Sequence, residues 1–284
     1  MAYVLWGVSP IFWRWGQGDS ADVLSFRIVS TVGFLWLVQL LRDRGRSLGR
    51  VVGQPGVLGR MLLSAALLAV NWLGFIWAVN HEQVMAASLG YFLTPLVSVS
   101  LGVVVLGERL RLGQWAAVAF GSAGVIVLSV DVGRFPWMSL LLAGSFGLYG
   151  LLRKTAPVES LDGLTLEVSI MGPVAVVALL VLSVSGGGVA QVNGGWGWLW
   201  VLAAGAVTAT PLLLFANAAR QIPLWLVGVL QYVTPTLQFL LGVVAYDEDW
   251  SGGQVIGYAV IWAGLVVFSA EAVNHSRQMR RVGA

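Results

Sequence analysis

The chain has 284 residues, 58% of them hydrophobic and only 10% charged. A soluble domain carries about 25% charged residues, so a water-soluble fold of this length could not cover its surface, and the composition reads as an integral membrane protein. There is no Cys, which excludes disulfides, thiolate nucleophiles and Cys metal sites; with a net charge of +3, the basic residues read as topology markers rather than a nucleic-acid surface.

A helix crossing lipid needs about 20 mostly apolar residues. Cutting the sequence at charge and Gly/Pro clusters predicts ten, at 2–17, 23–41, 58–79, 84–106, 113–130, 136–153, 164–185, 197–218, 225–246 and 254–272. The opening run "MAYVLWGVSPIFWRWGQGD" has no basic n-region and no small-residue cleavage site. It predicts a first span with a short or mis-assigned start, not a signal peptide. Arg42, Arg44, Arg46, Arg50 and Arg60 follow the second span, Arg109 and Arg111 the fourth, Arg153 and Lys154 the sixth, Arg220 the eighth, and Arg277, Arg280 and Arg281 the tenth. The alternate links carry Asp19, Asp22, Glu82, Asp131, Asp247, Glu248 and Asp249, with Arg14 and Arg134 as their basic neighbours. The positive-inside bias then predicts a multi-pass membrane protein with both termini cytoplasmic.

The stretch "SLGYFLTPLVSVSLGVVVLGERL" returns as "LQYVTPTLQFLLGVVAYDED" 140 residues later. At that offset Thr94 meets Thr234, Pro95 meets Pro235, Glu108 meets Glu248 and Gln114 meets Gln254; Gly7, Arg14 and Asp22 meet Gly147, Lys154 and Asp162. The predicted fold is therefore all-α, with ten transmembrane helices in two five-helix repeats, residues 1–131 and 132–272, followed by a basic cytoplasmic tail at 273–284. Five is odd, so the second copy crosses in the opposite sense, giving the inverted-topology repeat common in secondary transporters.

Each repeat carries a mid-membrane Pro. Proline frees the carbonyl four residues back and kinks the helix, and in lipid that carbonyl needs a partner in protein or cavity water. The freed carbonyls belong to Tyr91 and Gln231. With Thr94, Tyr232 and Thr234 beside them, Pro95 and Pro235 mark a candidate substrate site, against the simpler reading of a packing kink. Asn71, amid Trp72, Phe75 and Trp77, joins it as an amide among aromatics; interhelical hydrogen bonding is the alternative. Ala117, Gly121, Gly253 and Gly257 read as a close-packing scaffold or homodimer surface.

Charges inside spans are functional candidates by default. Arg27 is assigned to the substrate site, and Arg14, Lys154 and Glu167 to gating or proton coupling, with Lys154 expected to pair with Glu167, and Arg27 with Asp22 or Glu82. For Arg14 and Lys154 the competing reading is snorkelling to the headgroups.

The stretches "NWLGFIWAVNHEQVMAASLGYFLTPLVSVSLGVVVLGERL", "SFGLYGLLRK" and "GAVTATPLLLFANAARQIPLWLVGVLQYVTPTLQFLLGVVAYDEDW" resemble the RarD-type branch of the EamA family in the drug/metabolite transporter superfamily, over nearly the whole chain. The resemblance implies a ten-helix inner-membrane carrier of two EamA units with no catalytic set. Trp6, Gly7 and Pro10 match the family's opening pattern; Phe12 replaces its Tyr, Arg14 its Lys, Asp22 its Glu, and Phe26 precedes Arg27 where a His is usual. A proton-carrier role for that His is thereby excluded here. No G-x-x-x-x-G-K-[ST] is present, so the expected activity is secondary transport of a small metabolite or drug-like molecule by alternating access, with proton or other ion coupling and no cofactor or metal. An intramembrane lipid-acting enzyme or a non-transporting scaffold are the alternatives; the enzyme lacks a His-acid cluster, H-E-x-x-H and G-x-S-x-G.

Overall fold

A computed structural model of the chain describes residues 1–14, 20–43, 45–132, 135–184, 197–245 and 251–282. Asp19, Arg44, Arg134, Asp247, Glu248 and Asp249 lie outside the described residues, as do the ends of the predicted spans at 15–17, 185 and 246. The same holds for the side chains of Asp131, Arg277, Arg280 and Arg281.

The described residues are helical: α1 Ala2–Trp13, α2 Ser20–Asp43, α3 Arg46–Val52, α4 Val57–Asn80, α5 Val84–Val104, α6 Leu112–Val132, α7 Trp137–Thr155, α8 Ser160–Val184, α9 Gly197–Gln221, α10 Leu224–Gln231, α11 Val233–Ala245 and α12 Gly252–Val282. Among the described residues eight stretches, with α10 and α11 taken together, are long and apolar enough to cross a membrane; α1 is a shorter apolar helix. Helix is what lipid demands of such sequences, because it satisfies every backbone N–H and C=O within the segment. Apolar side chains cover all sides of these helices: Leu62, Leu73, Val174 and Leu202 are exposed while Met61, Leu68 and Leu164 are buried.

Helix starts recur at one spacing. Ser20 and Ser160, Val57 and Gly197, Val84 and Leu224, and Leu112 and Gly252 are each 140 residues apart. The packing repeats with them: α5 lies against α7 as α11 lies against α1, α4 against α7 as α9 against α1, and α2 against α9 as α8 against α4. The pairs α2–α8, α5–α10 and α6–α12 join matching helices.

Small residues set the closest approaches. A Cβ on Gly228 would lie 2.7 Å from the Pro95 carbonyl, and one on Gly257 3.2 Å from the Gly124 carbonyl. Only glycine lets α5 meet α10, and α6 meet α12, at this distance. The Ala117, Gly121 and Gly257 face is thus filled within the chain, since a Cβ on Gly264 would meet the Ala117 carbonyl and one on Gly121 the Tyr232 hydroxyl. Of its two readings, scaffold or homodimer surface, this packing fits the scaffold.

The termini of α2, α4, α5, α6, α7, α8, α9 and α10 that carry the basic links gather at what we call the basic end; the other end holds the Trp13, Trp77 and Trp137 side chains.

Candidate functional site

Arg27 sits seven residues into α2, about 10 Å from the helix start at 1.5 Å rise per residue. Its guanidinium carbon lies 5.0 Å from the Trp13 ring centroid and 4.8 Å from that of Trp72. Its Nε donates to Thr208 Oγ1 at 3.0 Å. Tyr91 sits equally far into α5, is 38% exposed, and interacts electrostatically with Arg27. Phe75 stands beside it at 6.0 Å. Arg27 is itself half-buried. This cluster, contributed by α1, α2, α4, α5 and α9 and keeping exposed surface at Arg27 and Tyr91, is the candidate recess of the site.

The expected partners of Arg27 do not reach it. Asp22 is five residues back on the same helix, a spacing that faces elsewhere, and is buried at 3% exposure. Glu82 occupies the turn between α4 and α5, with φ 56°. Aromatic faces take the place of a carboxylate because Trp13 and Trp72 close over the guanidinium.

The proline region is enclosed. Thr94, Pro95, Thr234 and Pro235 are buried, as are Gln231 and Tyr232. Pro95 leaves α5 continuous, whereas the helix containing Pro235 breaks at Tyr232 into α10 and α11. Thr94 donates to the Gly90 carbonyl at 2.7 Å, one turn back on its own helix. Thr234 donates to the Tyr3 carbonyl at 3.0 Å, and the Tyr3 hydroxyl donates to Val227 at 2.9 Å, so α1 is tied across the break. Gln231 Oε1 and the Tyr232 hydroxyl have no hydrogen-bond partner among the described residues. Asn71 donates to the Leu142 carbonyl at 2.9 Å and to Ser145 at 3.1 Å, joining α4 to α7. Tyr91 and Arg27 therefore stand together at the recess, while Thr94, Thr234 and Asn71 are engaged in helix contacts and Gln231 lies apart with Tyr232.

The basic end is closed by a series of polar contacts. Glu167 has no exposed surface; its carboxylate pairs with Arg153 Nη1 at 3.3 Å and accepts from Ser64 at 2.6 Å and Tyr149 at 3.2 Å. The predicted partner, Lys154, is not there. Its ammonium donates to the Ile222 carbonyl at 2.7 Å and lies 3.7 Å from Glu108. Adjacent helical residues point about 100° apart, so only one of Arg153 and Lys154 can reach Glu167. Arg153 is thus a fully buried residue of α7, not a link residue as its position among other basic residues implied. Arg14 is exposed at the end of α1.

Glu108 does what its spacing alone did not foretell. Its two carboxylate oxygens accept from the backbone N–H of Leu224 at 2.7 Å and Trp225 at 2.9 Å, capping the start of α10 from the α5–α6 link. These are donors a helix leaves unsatisfied, at the end where its dipole favours an anion. Gly107, at φ 66°, and Gly102, where a Cβ would collide with the carboxylate, permit the fold-back. Further along, Asp162 accepts from Gln39 at 2.7 Å and Ser47 at 2.9 Å, and Arg42 pairs with Glu159 at 2.8 Å. The Arg42 guanidinium holds the exposed Glu159 carboxyl below the usual carboxylate range.

Trp13, Glu108 and Arg153 were missed as site residues. The signal for two of them was the repeat: Trp13 and Arg153 are 140 apart, as are Arg27 and Glu167. The aromatic cover of Arg27 in one half stands where the ion partner of Glu167 stands in the other.

Residues 1–130 match the EamA-like transporter family. Protein RarD of Streptomyces exfoliatus is 39% identical over 280 residues, spanning 98% of this chain and 89% of that protein. Uncharacterized transporter YojE of Bacillus subtilis is 39% identical, spanning 98% of this chain and 94% of that one. Protein RarD of Escherichia coli is 36% identical over 98% and 94%. A solved crystal structure superposes with TM-score 0.70 at 23% identity, covering 94% of this chain and 93% of that one, and so shares the fold. Identity of this order along almost the whole length, on a bundle of membrane-crossing helices, makes the chain a RarD-type member of the EamA-like transporter family.

Proposed function

We propose that this transporter is a secondary carrier working by alternating access, with two inverted five-helix halves at residues 1–131 and 132–272. The observation that carries the reading is the contrast between its two ends. Arg27 and Tyr91 keep exposed surface, while the basic end is held together by the Glu108 cap and by Lys154, Arg153 and Arg42 contacts. The common 140-residue spacing of four pairs of helix starts supports two equivalent halves, which can exchange conformations so that each end opens in turn. The basic end, by the positive-inside bias, is the cytoplasmic one, with ten spans and the tail at 273–284 on that side of the inner membrane.

In this reading Arg27, Tyr91 and Trp72 contact the cargo, with Thr208 fixing the guanidinium. Asn71, Thr94, Pro95, Thr234 and Pro235 shape the wall through their helix contacts. Gln231 and Tyr232 become available on the other face of the seam when α10 shifts. Lys154 with Glu108 forms the inner gate, Arg14 flanks the outer mouth, and Glu167 is the acidic group through which a proton would couple. The test is flux in proteoliposomes given a metabolite mixture under imposed pH gradients. Uptake or efflux above protein-free vesicles, abolished by Arg27→Ala, is the expected result; no flux of any component under any gradient sinks the reading.

A further inference from the structure

We infer that the cargo is an organic anion with a flat apolar body. The inference rests on the carrier reading and narrows it to a substrate class. Arg27 is the reason. An ionised side chain within a membrane-crossing helix is costly unless it is paired. Among the described residues Arg27 has no carboxylate within ion-pair reach, and only its Nε has a hydrogen-bond partner, Thr208. The two Nη nitrogens are therefore unclaimed. They form the planar fork that matches a carboxylate through two parallel hydrogen bonds. The same position in the other half, Glu167, is neutralised by its own protein partner, Arg153. The two halves thus differ where they are equivalent: one buried charge has its counter-ion built in, and the other is left for something that arrives.

The surroundings define the rest of the molecule. The Trp13 and Trp72 faces fix the guanidinium plane, and the Tyr91 and Phe75 rings stand on the same recess. Rings of this kind accept a flat apolar group by stacking or edge contact, with one oriented polar anchor, as in most small-molecule sites. A cation would meet the unneutralised guanidinium and be repelled. A neutral amide of the same shape would stack equally but leave the fork half-used.

The probes are phenylacetate, phenylacetamide and phenethylamine, which share a shape and differ in charge. Their binding to the purified full-length protein in detergent is followed by isothermal titration and by the shift in melting temperature. Wild type should bind phenylacetate at least about tenfold more tightly than phenylacetamide, in line with a hydrogen-bonded ion pair, and phenethylamine least. Arg27→Gln should erase the preference, and Arg27→Lys, which keeps the charge but not the fork, should retain part of it. Melting without ligand reports whether each variant is folded; should Arg27→Gln not fold, the partial preference in Arg27→Lys decides. Equal affinity for the three probes, no binding of any, or an undiminished preference in the folded variants overturns the inference. Charge-selective binding without flux in vesicles would instead sink the carrier reading and leave Arg27 standing as an organic-anion site; flux without charge preference does the reverse.

Discussion

Arg153 Nη1 lies 3.3 Å from Glu167 Oε1, and neither side chain has any exposed surface. The pair joins α7 to α8, and Ser64 ties it to α4. Removing one member of such a pair strands the other charge in an apolar interior, which costs about 3–5 kcal/mol. Glu167→Gln and Arg153→Met should each lower the melting temperature of the detergent-solubilised protein sharply. The double replacement Arg153→Met with Glu167→Leu should recover much of the loss, because it leaves no orphaned charge. Flux through Glu167→Gln should also lose its dependence on the pH gradient, in keeping with its proposed coupling role; melting like wild type would mean that the pair does not brace the fold.

The Glu108 cap makes a different prediction. Loss of the carboxylate leaves the Leu224 and Trp225 N–H groups without their acceptor, and hydrogen bonds to a charged group contribute about 1.5–3 kcal/mol each. Glu108→Ala should therefore loosen α10 at the basic end. The chain contains no Cys, so a single Gln231→Cys replacement gives a clean reporter at a position only 7% exposed. Labelling by a membrane-impermeant maleimide from the basic-end side should rise several-fold when Glu108→Ala is added. Equal labelling in both backgrounds would mean that this contact does not govern access.

How far the sequence carried this picture depended on the kind of interaction. The apolar stretches were legible because lipid imposes one period and one length on them, and helix starts such as Val84 and Leu224 fall at the spacing the Thr-Pro repeat announced. That Arg27 would stand in unusual surroundings was legible for the same reason: a charge amid apolar residues has few tolerable environments. Partner choice was not. Arg153 and Lys154 are neighbours of one charge type, and only the rotation of α7 decides which reaches Glu167. Glu108 reads as one more charge after a span; its role depends on Gly107 turning the chain back toward a helix more than a hundred residues away. Thr94 and Asn71 looked available from composition, yet nearby carbonyls claim their donors.

The exposed pair of Arg42 and Glu159 should matter little to stability, since both side chains are largely solvated at 44% and 61% exposure and such pairs contribute about 0–1 kcal/mol. Its sign is nonetheless fixed. Hydrogen bonding and attraction to Arg42 lower the folded-state pKa of Glu159. Its contribution is then present above the ordinary carboxylate value and disappears as pH falls through the lower folded value. Glu159→Gln should leave the melting temperature near neutral pH almost unchanged and slightly flatten its decline on acidification. A loss near neutral pH as large as that of Glu167→Gln would contradict this ranking.

Gly205 tests the packing beneath the recess. A Cβ there would collide with the Ser30 carbonyl and lie 3.1 Å from the Thr31 nitrogen, both on α2. Backbone cannot swing aside as a side-chain tip can, so Gly205→Ala must push α9 from α2, an overpacking that costs about 1–3 kcal/mol. Thr208 lies three residues further along α9 and holds Arg27 at 3.0 Å, so the same displacement should weaken ligand binding at Arg27 as well as stability. Gly144→Ala is the matched control: nothing lies within 4 Å of its Cβ, and replacing a helical glycine there should add about 0.5–1 kcal/mol. Melting curves of the two variants should move in opposite directions, with binding altered only in Gly205→Ala. A binding loss in Gly144→Ala of the same size would show that helix backbone entropy, and not the α2–α9 contact, sets the geometry around Arg27.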